Sequence, residues 1–242
     1  MKKHVPNIIT CCNLLSGCVA TVYAFSGCPT WALTWIIIGA VFDFLDGMSA
    51  RLLNVSSPIG KELDSLADDV TFGVAPATMV FHELCVINYP SLMEFSRAVL
   101  PFVAYIIAAF SALRLAKFNL DERQSTSFIG LPTPANALFW GSLVVRSPAW
   151  MENHPWSIAI WLVLICLSCY LLVCELPMFA LKFKHWGWKG NEVKYGFVTL
   201  SVLLFLFSVM ASGIRGLLEA WWSVIALYLL ASIFLHVRSV MH

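Results

Sequence analysis

Asp43-Phe44-Leu45-Asp46-Gly47-Met48-Ser49-Ala50-Arg51, followed by Gly60, Asp64 and Asp68, is the stretch that decides the reading of this chain. Asp43 and Asp46 stand three apart and Asp64 and Asp68 four apart, so within each pair the side chains share one helical face. Two such helices side by side bring four carboxylates together. One ionised group at the centre of a membrane helix already costs about 3 kcal/mol, and four without compensation would disrupt a bundle. The spacing therefore predicts a divalent-cation site, set shallowly near the water. Hard oxygen ligands select Mg²⁺, Mn²⁺ or Ca²⁺ over zinc, which favours His and Cys, and no histidine lies near the motif in sequence. An EF-hand is excluded, because its ligands alternate within one short loop ending in Glu.

The surroundings are those of a membrane protein. Apolar residues make up 60% of the 242, more than a globular core uses. The net charge of +1 gives no basis for a nucleic-acid partner. Windows of about 20 apolar residues, enough to cross the hydrocarbon layer, predict helices near 7–26, 30–52, 62–82, 97–117, 131–148, 156–177, 195–212 and 217–237. The fold class expected is all-α: a polytopic helical bundle of eight crossings, treated as one integral-membrane domain over 1–242. The third helix is the least hydrophobic, because Asp64, Asp68 and Asp69 occupy its start. Asp69 is out of phase with the other two and reads as a helix-start acid favoured by the dipole.

Basic residues orient the bundle. With both termini in the cytoplasm, the inner loops and helix ends collect Lys2, Lys3, Arg51, Lys61, Arg114, Lys117, Arg123, Lys182, Lys184, Lys189, Lys194 and Arg238, leaving only Arg97, Arg146 and Arg215 outside. This is the positive-inside bias. It places the aspartates at the cytoplasmic face, where a water-soluble molecule can reach them. Trp31, Trp150, Trp156, Trp221 and Trp222 fall near predicted boundaries and read as interfacial anchors. Asn7, Thr10 and Asn13 interrupt the apolar run after Lys2 and Lys3, which argues for a retained first helix over a cleaved signal. Six of the eight cysteines lie inside apolar segments and read as small hydrophobes. Cys28 and Cys85 fall near the same outer face, where a bridge is conceivable and unsupported.

The pattern Asp-x2-Asp-Gly-x2-Ala-Arg-x8-Gly-x3-Asp-x3-Asp, met at every fixed position, resembles the signature of the CDP-alcohol phosphatidyltransferases. The resemblance implies two divalent cations, Mg²⁺ or Mn²⁺, held by Asp43, Asp46, Asp64 and Asp68, with Asp68 also the general base. It implies a cytidine nucleotide bound by Asp46, Gly47, Ala50, Arg51 and Asp64. Gly60, whose missing side chain lets a nucleotide or backbone come close, joins that set. The stretch Pro6-Asn7-x2-Thr10-x2-Asn13 is similar to the start of many such enzymes, which favours a site-lining role for Asn7 and Thr10 over helix packing, the other role such residues take.

Further segments bear on the acceptor alcohol. Phe72-Gly73-Val74-Ala75-Pro76-Ala77, Arg114-Leu115-Ala116-Lys117-Phe118-Asn119 and Gly130-Leu131-Pro132-Thr133-Pro134-Ala135-Asn136 resemble the membrane-embedded phosphatidylserine synthases of bacteria and archaea. That implies CDP-diacylglycerol and L-serine as substrates, an inner-membrane location, a homodimer, and catalytic helices over about 1–184 with two additional ones over about 195–238. Arg114, Lys117 and Asn119 would meet the serine, since an arginine fork suits a carboxylate; positive-inside anchoring accounts for the same cations. Pro132 and Thr133 open helix five, as breaker or as substrate contact. Lys182 and Lys184 would hold lipid phosphate or sit among anionic headgroups. Glycerol 3-phosphate or inositol phosphate as acceptor would keep the chemistry. A cation carrier is the alternative of another class, but carriers place such acids at the midplane, often in repeated halves, and this pattern occurs once.

Overall fold

A computed structural model describes residues 4–55, 57–89, 91–121, 128–147, 154, 156–178, 187 and 191–240. Lys182 and Lys184 lie outside the described residues. Among the described residues the ordered elements are helical but for one two-residue ribbon. Helix α1 (His4–Phe25) turns at Gly27, whose φ is +68°, into α2 (Pro29–Leu53), which opens on a proline. α2 ends on Asn54, in the left-handed region at φ 51°, with its N–H bonded to the carbonyls of Ala50 and Arg51. α3 (Pro58–Asp68) then starts on a Ser57 cap, whose Oγ accepts from the Gly60 N–H at 3.0 Å, with Pro58 in the first turn. Both ends use standard helix punctuation, a left-handed stop and a Ser-Pro start.

The predicted third helix is longer than its hydropathy suggested. α3 runs without a break into a π-helical stretch, Asp69–Val74, and on into α4 (Ala75–Val86). Asp69 therefore sits inside a continuous helix, not at its start, and the dipole explanation for it fails. Helical turns over Ser91–Ala98 and Leu100–Tyr105 lead into α5 (Ile106–Leu120). β1 (Phe128–Ile129) precedes α6 (Thr133–Arg146), which starts two residues later than predicted because Pro132 precedes it and Pro134 occupies its first turn. α7 (Ser157–Val173) ends before Glu175-Leu176-Pro177, and Pro177 and Met178 form β2, antiparallel to β1. α8 (Glu192–Ser212), the short α9 (Gly216–Glu219) and α10 (Trp221–Val240) close the chain.

Among the described residues three helical stretches are long and apolar enough to cross a membrane, His4–Phe25, Leu100–Leu120 and Glu192–Glu219, and Ser157–Val173 and Trp221–Val237 are shorter apolar helices. Their outward faces carry large hydrophobics such as Leu15, Phe102, Val163 and Phe207, as lipid contact requires. This is an integral membrane protein. All eight cysteines are free thiols, Cys28 and Cys85 among them.

α1 is the hub. It packs along α2 and also against α3, the π stretch and α4. Small residues allow the approach: a Cβ on Gly17 would lie 2.8 Å from the Thr71 Cα, and one on Gly39 would lie 2.5 Å from Thr71 Cγ2. Such contacts are how membrane helices associate where no hydrophobic drive separates helix from lipid. Deeper in, Trp140 stacks on Trp161 at 5.9 Å, and its indole N–H donates to Ser168 Oγ at 2.9 Å. That hydroxyl in turn donates to Asn136 Oδ1 at 2.7 Å.

Candidate active site

The acids of α2 and α3 meet across α1, their shared packing partner. Asp43, Asp64 and Asp68 each offer a carboxylate oxygen within 4.8 Å of the others. Asp68 is 9% exposed, and Asp64 Oδ1 is buried with no hydrogen-bond partner. Three carboxylates this close repel strongly, and an orphaned buried oxygen costs free energy until something fills its place. A hard divalent cation removes both penalties, and the all-oxygen donor set suits one. Asp46, the fourth acid expected as a ligand, is 6% exposed and stands outside this group of three, bonded to Thr10 and lining the cavity beside it.

α1 holds two of these acids in place. Thr10 Oγ1 donates to Asp46 Oδ2 at 2.5 Å, and the same hydroxyl lies 3.0 Å from the Pro6 carbonyl. Asn13, one turn on and fully buried, donates from Nδ2 to Asp68 Oδ1 at 3.0 Å. The Asn13 carbonyl accepts from Thr71 Oγ1, also at 3.0 Å. Asn13 was visible in the polar stripe of α1, yet nothing in its spacing named Asp68 as its partner.

A cavity of about 250 Å³ opens on one side of the cluster. Asn7, Thr10, Asp46, Gly47, Ala50, Gly60 and Asp64 line it, together with Lys61. Apart from Lys61 these are the residues expected to meet the nucleotide; the remaining one, Arg51, is exposed and donates from Nε to the Gly47 carbonyl at 3.0 Å. A Cβ on Gly47 would meet only Arg51 Nη2, at 3.9 Å, so the glycine leaves open wall and admits no second backbone. Gly60 differs: its Cβ would press on Ser57 Oγ at 3.0 Å and Asn7 Oδ1 at 3.1 Å, so there the glycine lets α1 and α3 approach.

A second cavity of about 380 Å³ lies between the ends of α5 and α7. Arg114 and Lys117 line it, as do Asp121, Ile129 and Glu175. Arg114 is 7% exposed, with Nε and Nη2 buried and unpartnered. Its guanidinium is within electrostatic reach of Asp68. Asn119 is engaged elsewhere, donating to Ser65 Oγ at 2.7 Å and accepting Lys61 Nζ on its carbonyl at 2.9 Å, which ties α5 to α3. Thr133 is fully buried with its hydroxyl unpartnered, and Pro132 is half-buried. Neither is among the described residues of the cavity wall.

Known proteins fit this arrangement. Residues 3–167 match the sequence profile of the CDP-alcohol phosphatidyltransferases. The CDP-diacylglycerol–serine O-phosphatidyltransferase of Bacillus subtilis is 37% identical over 183 residues, 76% of this chain and 91% of that protein. Proteins of the same name from Helicobacter pylori and Saccharomyces cerevisiae are each 37% identical, over 135 and 173 residues, or 55% and 64% of this chain. The matched stretches span 54% and 59% of those two proteins. Acid pairs carried on two helices that share α1, and a profile match over most of the chain, lead to one conclusion: the chain belongs to the CDP-alcohol phosphatidyltransferase family.

Proposed function

We propose that this chain transfers the phosphatidyl group of CDP-diacylglycerol to L-serine, giving phosphatidylserine and CMP. The observation that carries it is the position of the Asp43, Asp64 and Asp68 oxygens, within 4.8 Å of one another, beside one cavity lined by the nucleotide-type residues and another lined by Arg114. The names of the Bacillus, Helicobacter and yeast relatives support serine as the acceptor.

The cytidine nucleotide occupies the first cavity, where Gly47 and Ala50 keep the wall thin. Serine enters the second, with its carboxylate toward the Arg114 side chain that lines it. Asp68 takes the proton from the serine hydroxyl as that oxygen bonds to the phosphorus carrying diacylglycerol. The bond from this phosphorus to the bridging oxygen breaks, and CMP leaves with the electron pair. Asn13 keeps the Asp68 carboxylate in a fixed plane throughout. Two divalent ions, Mg²⁺ or Mn²⁺, held by Asp43, Asp46, Asp64 and Asp68, supply charge neutralisation for the pyrophosphate when bound.

The apolar windows support eight crossings, and the basic-residue bias supports termini and a site on the cytoplasmic side; the likeness to bacterial enzymes supports an inner-membrane location. The family resemblance supports reading the two C-terminal helices as additions to a catalytic set over about 1–184 and a homodimer as the working unit. Purified protein given labelled serine, glycerol 3-phosphate and inositol phosphate in turn should incorporate serine alone into lipid. Incorporation of a phosphorylated acceptor in place of serine would overturn the assignment.

A further inference from the structure

α8 to α10 lie beyond the stretch that matches the family, and nothing in the mechanism uses them. We propose that they brace the acceptor cavity: α10 backs the β1–β2 ribbon that forms part of its wall, and so sets the affinity for the acceptor. This rests on reading that cavity as the serine site.

The ribbon is a weak element in isolation. Each strand has two residues, with Phe128 opposite Met178 and Ile129 opposite Pro177. Two further bonds extend it, Gly130 N–H to the Leu176 carbonyl at 2.9 Å and Leu131 N–H to the Leu171 carbonyl at 2.8 Å. Two-stranded ribbons are marginal without a packed face. Non-helical backbone in a membrane protein is also tolerated only where protein or water covers it.

That cover comes from α10. Leu131, Met178 and Ile225 form a buried cluster, at 2%, 2% and 7% exposure, with Tyr228 and Leu229 packed against it. The other side of the ribbon faces the cavity, where Ile129 and the 172–175 turn provide wall beside Arg114. The C-terminal helices are themselves fastened to the core. Arg146 Nη1 at the end of α6 pairs with Glu219 Oε2 at 3.2 Å, and Ser212 Oγ donates to the same oxygen at 2.8 Å. A displacement of Ile225 thus reaches the acceptor wall through one layer of side chains, and does not touch the first cavity.

Kinetics of the full-length protein test this with Ile225→Ala and the milder Leu229→Ala, beside Arg114→Gln as a probe of the cavity itself. Both brace variants should raise KM for serine, Ile225→Ala by about fivefold or more, with KM for CDP-diacylglycerol held within about twofold. A general loss of structure would move both constants, and the same uniform loss in Leu229→Ala overturns the brace. Serine KM raised by Arg114→Gln but unmoved by either brace variant also overturns it, leaving the cavity assignment standing. Serine KM unmoved by Arg114→Gln removes the cavity assignment, and the brace with it.

Discussion

Asn13 on α1 donates its side-chain amide to Asp68 Oδ1 at 3.0 Å while its own backbone carbonyl takes the hydroxyl of Thr71. The amide is anchored in the backbone of one helix and the carboxylate in another, so the contact fixes the plane of the proposed base. Hydrogen bonds to a charged partner are worth about 1.5–3 kcal/mol. Asn13→Ala should therefore lower kcat by about 10- to 100-fold, with KM for CDP-diacylglycerol nearly unchanged. Steady-state kinetics of the detergent-solubilised protein provide the check, and a rise in KM at constant kcat would remove Asn13 from the chemistry.

Asp68→Asn keeps the shape of the side chain and removes its capacity to accept the serine proton. Turnover should fall to background while CDP-diacylglycerol still binds, because three of the four acids and the whole first cavity are intact. Equilibrium binding measured beside CMP release separates the two effects. Retained activity would reassign the base.

The acid pairs were legible because helical spacing alone places Asp43 with Asp46 and Asp64 with Asp68. Which helix would bridge them was not. Asn7, Thr10 and Asn13 share a stripe whose polarity suits packing or site lining equally, and only the tertiary arrangement assigns Thr10 to Asp46 and Asn13 to Asp68. Hydropathy also misplaced the start of the third helix, since Pro58 to Asp68 is too polar to register as part of a span although it continues into α4. The β ribbon escaped for another reason: two-residue strands carry no period. The sequence offered no role for Asp121 or Glu175, because a cavity built from the ends of α5 and α7 draws on residues far apart in the chain.

Cation binding should be visible in stability as well as in rate. With chelator present, the Asp43, Asp64 and Asp68 oxygens within 4.8 Å of one another are uncompensated, so Asp43→Asn should raise the thermal midpoint of the metal-free protein. Adding Mg²⁺ or Mn²⁺ should stabilise the unaltered chain in proportion to ln(1 + [L]/Kd). The same addition should stabilise Asp43→Asn much less, and restore activity only to the unaltered chain. Thermal scans across a metal titration report both arms, and equal metal-induced shifts in the two proteins would exclude Asp43 as a ligand.

Two glycines in predicted spans should respond oppositely to the same substitution. Gly196 on α8 has nothing within 4 Å of where a Cβ would stand, so Gly196→Ala should leave stability unchanged or raise it by up to about 1 kcal/mol through helix propensity. Gly39 on α2 faces the place where α1 and the π stretch converge. There a new methyl would stand 2.5 Å from Thr71 Cγ2 and 3.0 Å from Asn13 Oδ1, both on fully buried residues. Overpacking of this kind costs about 1–3 kcal/mol. Its effect should also reach the chemistry, because Thr71 and Asn13 are the links that hold Asp68. Gly39→Ala should thus lower both the thermal midpoint and kcat, whereas a stability loss at full kcat would show that Asp68 keeps its position without that support.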